Sequence, residues 1–239
     1  MFIWIIATLL AFYIKGLCGF ANTLIFNSVL TFSVNNVNIT PIELLLGYPS
    51  NLILTWRNRK DLSVKIWLPL AVLVLAGNIP GAIFLKTVDT GLVKIFFGIV
   101  VILVGIEMLL RDRTHSQAKS SKLFLIIIGF LSGILCGLFG VGALLAAYVG
   151  RVTDNTDAFK ANISAVFIAE NTFRIILYSI LGIMNLSVLK HAILLMPFML
   201  IGLFAGMKSS QMIDDKIVKK FVIVLLIFSG VMLIVNNLI

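Results

Sequence analysis

The sequence predicts an all-α, polytopic helical membrane protein built from two inverted four-segment repeats, each opening with a glycine-broken re-entrant helical hairpin. Three observations carry this prediction. Of the 239 residues, 60% are hydrophobic and 12% are charged, which leaves a soluble protein too little polar surface. Long apolar runs recur along the chain at the length that a membrane span needs. The two halves of the chain also carry similar elements in the same order.

The apolar runs predict a single transmembrane domain, residues 1–239, divided into repeat 1 (1–110), a polar linker (111–122) and repeat 2 (123–239). The predicted segments of the first half are 2–33, interrupted at the letters GLCG, then 42–56, 65–85 and 92–110. Those of the second half are 123–149, interrupted at GLFG, then 161–183, 188–207 and 217–238. Each half therefore begins with one broken segment and continues with three ordinary ones.

Four pairs of matching positions indicate an internal duplication. In chain order, the pairs are KGLCGFANTL (15–24) with CGLFGVGALL (136–145), Asn51 with Asn171, LPLAVLVLAGNIPGAIF (68–84) with MPFMLIGLFAGMKSSQM (196–212), and VKIFFGIVVILVGIEML (93–109) with VKKFVIVLLIFSGVMLI (218–234). Four matches in the same order favour a duplicated chain, which is an architecture that many secondary transporters use.

The distribution of Lys and Arg predicts the orientation in the membrane. If each broken segment enters and leaves on one side, fourteen Lys and Arg fall on one face and three on the other, with the basic loops near 57–65, 111–122, 151–160 and 208–220. If both broken segments cross fully, the split is nearly even. Because cytoplasmic loops collect basic residues, the hairpin arrangement is favoured. The same rule accounts for the net charge of +9 without a nucleic-acid partner.

The letters GLCG and GLFG predict the turns of the two hairpins. Backbone groups without helical partners survive at membrane depth only where protein or a water-lined cavity surrounds them. Glycine permits both the turn and the close approach of a neighbouring backbone. The alternative is that these glycines serve only helix packing, but their recurrence at matching places in both halves favours the hairpins.

Three stretches of the chain resemble the TauE/SafE sulfite exporter family. IKGLCGFANTLI (14–25) is similar to its N-terminal glycine-rich signature, SGILCGLFGVGALL (132–145) to its second glycine-rich element, and AGNIPGAIFL (76–85) to the element after its third segment. The sequence departs from the family pattern at Gly140-Val141-Gly142-Ala143, where consecutive glycines are usual. The resemblance implies a divergent member that exports or takes up a small anion, such as sulfite or a sulfonate.

The N-termini of the second half-helices are the predicted anion site. Their free N–H groups and partial positive charge favour an anion in a low dielectric. These half-helices are predicted to begin near Asn22 and near Gly142, so that two facing ends form a polar pocket with few charged side chains. The predicted substrate-binding residues are Lys15, Gly16, Gly19, Phe20, Asn22, Asn51, Gly137, Gly140, Gly142, Asn171 and Arg174.

Several of these side chains admit two interpretations. Lys15 contacts the anion, or releases a proton when substrate binds, or instead snorkels to an interface. Asn22 donates to an oxyanion or caps a helix. Asn51 and Asn171 complete the pocket or join two helices by hydrogen bonds.

Charged side chains within the second segment of each half are also notable. Glu170 and Arg174 are spaced i, i+4 and share a helix face. They form either a structural ion pair lining a cavity, or a gate or proton-coupling carboxylate with an arginine that meets the anion. Glu43, beside Pro41, is predicted to begin its segment near the outer surface.

Together these features predict a secondary transporter of a small anion, working by alternating access of two halves as a multi-pass protein of a bacterial-type cell membrane. The alternatives are an anion channel and a non-transporting membrane scaffold. An enzyme is not predicted, because the chain lacks HExxH and GxGD motifs. No cofactor or metal is predicted. The expected partners are the small anion and the lipid bilayer, and the sequence leaves the oligomeric state open.

Overall fold

The structure is a computed structural model that describes residues 1–31, 39–84, 122–139 and 142–238, and eight helical positions between 95 and 110. Within these residues all regular structure is helical. The α-helices are α1 (Phe2–Cys18), α2 (Asn22–Thr31), α3 (Ile39–Arg57), α4 (Val64–Phe84), α5 (Lys122–Phe139), α6 (Ala143–Val152), α7 (Thr156–Ile180), α8 (Leu186–Met212) and α9 (Asp215–Leu238), with a 3-10 turn at Arg59–Asp61. Helices α3, α4, α7, α8 and α9 begin and end within five residues of the predicted segments.

Both opening segments are broken where the glycines predicted. Helix α1 ends at Gly19, whose backbone is left-handed (φ 88°) and whose N–H donates to the Lys15 carbonyl at 2.6 Å. This is a glycine C-cap, a conformation that side-chain-bearing residues rarely adopt. Ala21 follows with φ 72°, and α2 then folds back along α1, so that Phe26 packs edge-on against Trp4. In the second half, α6 begins directly after Gly142.

The first helix of each broken segment packs on a helix of the other half. Along α1 and α8, Trp4 lies beside His191 and Tyr13 donates to Ser209 at 3.1 Å, so the two helices run in the same direction. A methyl group added at Gly206 would overlap the Tyr13 carbonyl. The backbones are therefore too close for any side chain at that position.

Helices α4 and α5 make the equivalent contact, with α4 from the first half of the chain and α5 from the second. Gly129 lies against Leu73, and one turn later a methyl group added at Gly133 would overlap the Val74 carbonyl. The numbering rises together along both helices, so α4 and α5 also run in the same direction. Helices α3 and α7, the second segments of the two halves, pack against each other between these two pairs.

Apolar side chains cover much of the outside of the molecule. Among the described residues, α7 and α8 are long and apolar enough to cross a membrane by length and composition, with mean hydropathies of 1.4 and 2.0. Shorter apolar helices cover Phe2–Cys18, Val64–Pro80 and Leu125–Ile134. On α8, Ile193 and Ile201 are about 60% exposed, an arrangement suited to lipid contact.

Three of the four predicted basic loops meet at one end of the helices. Asn162 of α7 accepts from the Ser63 N–H at 3.0 Å and donates to the Asp61 carbonyl at 3.2 Å. Lys160 donates to Ser210 near the end of α8. The rest of the predicted charge pattern, which is the linker at 111–121 together with Lys86 and Lys94, lies outside the described residues.

Candidate functional site

A small cavity lies where the first helix break and the start of α6 meet helices α3 and α7. Its volume is about 30 Å³, enough for about two water molecules. Both halves of the chain line it. The lining residues are Lys15, Phe20, Ala21, Asn22, Thr23, Leu24, Glu43, Asn51, Gly142, Phe167, Glu170, Asn171 and Arg174.

The N-terminus of α2 forms one wall of this cavity. Its first helical backbone bond runs from the Ile25 N–H to the Ala21 carbonyl, so the N–H groups of residues 22–24 have no acceptor within the helix. The side chains of Asn22 and Thr23 both donate to Oε1 of Glu43, Thr23 at 3.0 Å. The carboxylate of Glu43 therefore sits at the positive end of α2, which is favourable for an anion.

Gly47, one turn beyond Glu43 on α3, leaves room for three polar groups to converge. A methyl group at this position would lie 3.5 Å from Glu43 Oε1 and 3.6 Å from the amide nitrogens of Asn22 and Asn171. Asn22 and Asn171 come from opposite halves of the chain. Donors from both halves of the chain thus reach the same point beside the Glu43 carboxylate.

Lys15 is 1% exposed and lines the cavity from α1. Its ammonium lies 6.0 Å from the centroid of the Phe12 ring and 5.9 Å from that of Phe167, within the range of a cation–π contact. Among the described residues the Lys15 ammonium makes no hydrogen bond or ion pair. Its three donors are therefore free to meet a ligand in the cavity.

Two more charged side chains, those of Glu170 and Arg174 on α7, line the cavity. The distance between Arg174 Nη1 and Glu170 Oε1 is 3.6 Å, and Nη2 of Arg174 donates to the Tyr178 hydroxyl at 3.1 Å. Both charged side chains are buried and therefore poorly hydrated. Their opposite charges offset part of the free-energy cost of that burial. The predicted i, i+4 pair is present and lines the cavity.

Asn51 and Gly142 complete the wall on the side of the second break. Asn51 is 1% exposed, and its Oδ1 has no hydrogen-bond partner among the described residues. Gly142 precedes the first turn of α6, and an added methyl group there would overlap the Phe167 ring. Phe167 therefore packs between the start of α6 and the Lys15 ammonium.

The remaining predicted residues lie beside the cavity or outside the described structure. Gly16 packs against α8, where an added methyl group would overlap the Leu203 carbonyl. Gly19 forms the turn and contacts Lys160 of α7. Gly137 lies in α5, with its surroundings outside the described structure, and Gly140 is outside it altogether. The binding roles assigned from the sequence stay predictions.

One expectation about charge is wrong, because the cavity holds four charged side chains rather than few. Glu43 was not predicted as a site residue, yet it is 3% exposed and lies in the cavity wall. It lies near the start of α3, which begins at Ile39, and its side chain turns inward to α2. One sequence signal was available: Glu43, Gly47 and Asn51 are spaced i, i+4, i+8 and so share one face of a helix.

A second, larger cavity opens at the end of the helices where the basic loops meet. This cavity, the vestibule, has a volume of about 310 Å³ and is lined by Arg57, Asn58, Asp157, Lys160, Met207, Ser210, Gln211 and Ile213. Lys160, which lines the vestibule, contacts the Gly19 turn, and Phe20, which lines the small cavity, packs edge-on against Phe159 with ring centroids 6.0 Å apart.

Comparison with known proteins identifies the family. The chain matches the family described as "Sulfite exporter TauE/SafE" over residues 4–233. The chain belongs to the TauE/SafE sulfite exporter family. It is therefore assigned to a family of membrane-integral transporters of sulfur-containing anions, as the sequence resemblance implied. Comparisons with curated proteins and with solved structures returned no match.

Proposed function

We propose that this TauE/SafE protein is a secondary transporter that binds one small sulfur oxyanion, sulfite or a small sulfonate, in the central cavity. The observation that carries the proposal is the convergence of Lys15, Asn22 and Asn171 on one small cavity. A full positive charge and two amide donors replace part of the hydration shell that an oxyanion loses on leaving water. The cavity has room for about two water molecules, so it must widen to hold sulfite, which has four non-hydrogen atoms, and widen further for a sulfonate.

The exchanged helix pairs support two inverted repeats. Helix α1 runs parallel to α8, and α4 runs parallel to α5, as expected if a two-fold axis in the membrane plane relates the halves. In this arrangement the first hairpin enters from the side opposite the basic loops and the second from the side of those loops. Rocking of one half against the other would then expose the cavity alternately to each side.

The vestibule supports a route of access from one side. It lies among the basic loops, which the positive-inside rule assigns to the cytoplasm of a cell membrane. Among the described residues, Lys160 of the vestibule contacts the Gly19 turn, and Phe20 of the central cavity contacts Phe159. Movement of the first hairpin away from α7 would open this route, and closure elsewhere would complete one transport half-cycle.

An anion channel is the alternative, and the aromatic contacts beside the central cavity favour the carrier. A continuous pore would need an opening past both Phe20 and Phe167, whose rings pack against Phe159 and the start of α6. A carrier needs closure on at least one side at all times, which is the condition that these rings meet.

The test is counterflow in proteoliposomes that contain the purified full-length chain. Vesicles loaded with unlabelled sulfite should transiently concentrate labelled sulfite, and the initial rate should saturate with its concentration. Methanesulfonate, sulfate and acetate serve as competitors. Flux that rises linearly with concentration and shows no counterflow would support the channel, and no flux of any of these anions would refute transport of small anions.

A further inference from the structure

We propose that the Glu43 carboxylate occupies the anion site of the empty transporter, and that the transported anion binds only when Glu43 takes up a proton and leaves. This inference rests on the proposed function and adds the coupling of one proton to one anion. Glu43 was not among the residues that the sequence predicted to bind the anion.

The geometry gives Glu43 the place of a bound anion. Its Oε1 accepts from the first two side chains of α2, Asn22 and Thr23. A free oxyanion would seek the same donors, because the helix N-terminus adds positive potential there. Two anions are not expected to share these donors, since Glu43 Oε1 already accepts from both side chains and a second negative charge beside it would be repelled.

One further group points to a ligand that is not Glu43. The Lys15 ammonium, which is 1% exposed, lines the cavity without a hydrogen bond or ion pair to a described residue. Buried polar groups are normally satisfied, so this donor indicates a cavity that is completed by an acceptor other than the chain. Asn51 Oδ1 is also buried without a partner among the described residues, but as an acceptor it suits a water molecule or a protonated carboxyl rather than an oxyanion.

The charge balance explains why a proton is needed. Lys15 of α1 and Arg174 of α7 face Glu43 and Glu170, so the cavity holds two positive and two negative side chains. An added anion would leave an uncompensated negative charge in a low dielectric, which is unfavourable for a buried ion. One proton on Glu43 restores neutrality. Helix α8, which also packs on α3, carries Lys190, His191 and Lys208, and all three are exposed.

Glu43 rather than Glu170 is assigned the proton because their partners differ. Glu170 Oε1 makes no hydrogen bond to a described residue, but it lies 3.6 Å from Arg174 Nη1, so its partner is a positive charge on its own helix. Glu43 is held by the neutral side chains of Asn22 and Thr23, which an incoming oxyanion can take over. Release of Glu43 would also free α2 from α3, linking binding to movement of the first hairpin.

The experiment is calorimetric titration of the purified full-length chain with methanesulfonate and, separately, with sulfite, at several values between about pH 5 and about pH 9, which bracket the titration of buried carboxyl groups. Methanesulfonate stays singly charged, so its pH dependence reports on the protein. The wild-type affinity should fall by up to about tenfold per pH unit as Glu43 loses its proton. Glu43→Gln, which keeps the accepting oxygen without the charge, should bind within about threefold of one affinity across the range.

Two variants and one second measurement complete the test. Glu43→Asp should keep the pH dependence, and Glu170→Gln should keep its slope even where its affinity differs. Repeating the wild-type titration in buffers of different ionisation enthalpy should give close to one proton taken up per methanesulfonate bound at intermediate pH. Because it uses the wild type, this measurement of proton uptake still tests the coupling of one proton to anion binding if Glu43→Gln does not fold.

The outcomes separate the two proposals. A wild-type affinity that does not change with pH, with no proton uptake, would overturn the role of Glu43 and leave anion transport standing. An unchanged pH slope in Glu43→Gln would overturn it as well. Absence of binding of both anions to wild type and Glu43→Gln at every pH would refute the proposed function and this inference with it.

Discussion

The ammonium of Lys15 lies 5.9 Å from the centroid of the Phe167 ring. This contact joins the broken helix α1 of the first half to α7 of the second half, at the wall of the central cavity. If the proposed site is right, an anion in the cavity contacts this ammonium, and contacts between charges are stronger in a low dielectric than in water.

Replacing Lys15 by Met should therefore weaken anion binding. Loss of a charge-assisted contact of about 1.5–3 kcal/mol corresponds to roughly a tenfold to hundredfold rise in the apparent Kd. Lys15→Arg keeps the charge and should retain more binding than Lys15→Met. The measurement is the concentration dependence of sulfite uptake in proteoliposomes, with protein amount matched. Equal uptake by wild type and Lys15→Met would remove Lys15 from the site.

Gly47→Ala should preserve or raise the stability of the protein and lower its affinity for the anion. The added methyl group would lie 3.5–3.6 Å from its nearest neighbours, which is ordinary contact, and Ala is favoured over Gly inside a helix by about 1 kcal/mol. The melting temperature should hold or rise, while anion affinity falls because the methyl group fills the space where Asn22 and Asn171 converge. Thermal unfolding measures the change in melting temperature, and calorimetric titration of the same sample measures the change in anion affinity. A variant that binds as wild type would place the anion elsewhere.

Gly19→Ala should destabilise the protein more than Gly182→Ala. Both glycines are left-handed, with φ 88° and 70°, so each substitution carries a backbone penalty of roughly 1–2 kcal/mol. At Gly182 nothing lies within 4 Å of the added methyl group, whereas at Gly19 it would lie 2.8 Å from Lys160 Cγ. The difference in melting temperature between the variants measures the contact between the turn and Lys160. Equal losses would show that the contact contributes nothing.

The sequence predicted the helical segments and both breaks, because apolar length and glycine position are local signals. Asn51 and Asn171 were found through the repeat, which pairs them although they lie far apart in the chain. Glu43 was missed for a physical reason: its partner Asn22 is 21 residues away, and no local pattern reveals a hydrogen bond across a hairpin. Lys160 was counted with a basic loop, yet it is 3% exposed and packs against Gly19.

The two ends of α8 offer a direct test of orientation. His191 and Lys208 are both exposed near opposite ends of this helix, and both native cysteines, Cys18 and Cys136, are buried. A membrane-impermeant maleimide added to intact cells should label His191→Cys and spare Lys208→Cys until the membrane is opened. Labelling in the reverse order would invert the orientation, and labelling of both in intact cells would show that α8 does not cross the membrane.

The central claim is that one oxyanion binds between the two halves, against Lys15, Asn22 and Asn171. The most direct measurement is an anomalous-scattering crystal structure of the protein soaked in selenite, a heavier analogue of sulfite. If the anion binds in this cavity, we expect a selenium peak beside Lys15 and Asn22, and the Glu43 carboxyl should be turned away from α2. A selenium peak confined to the vestibule, with Glu43 still bonded to Asn22 and Thr23, would contradict it.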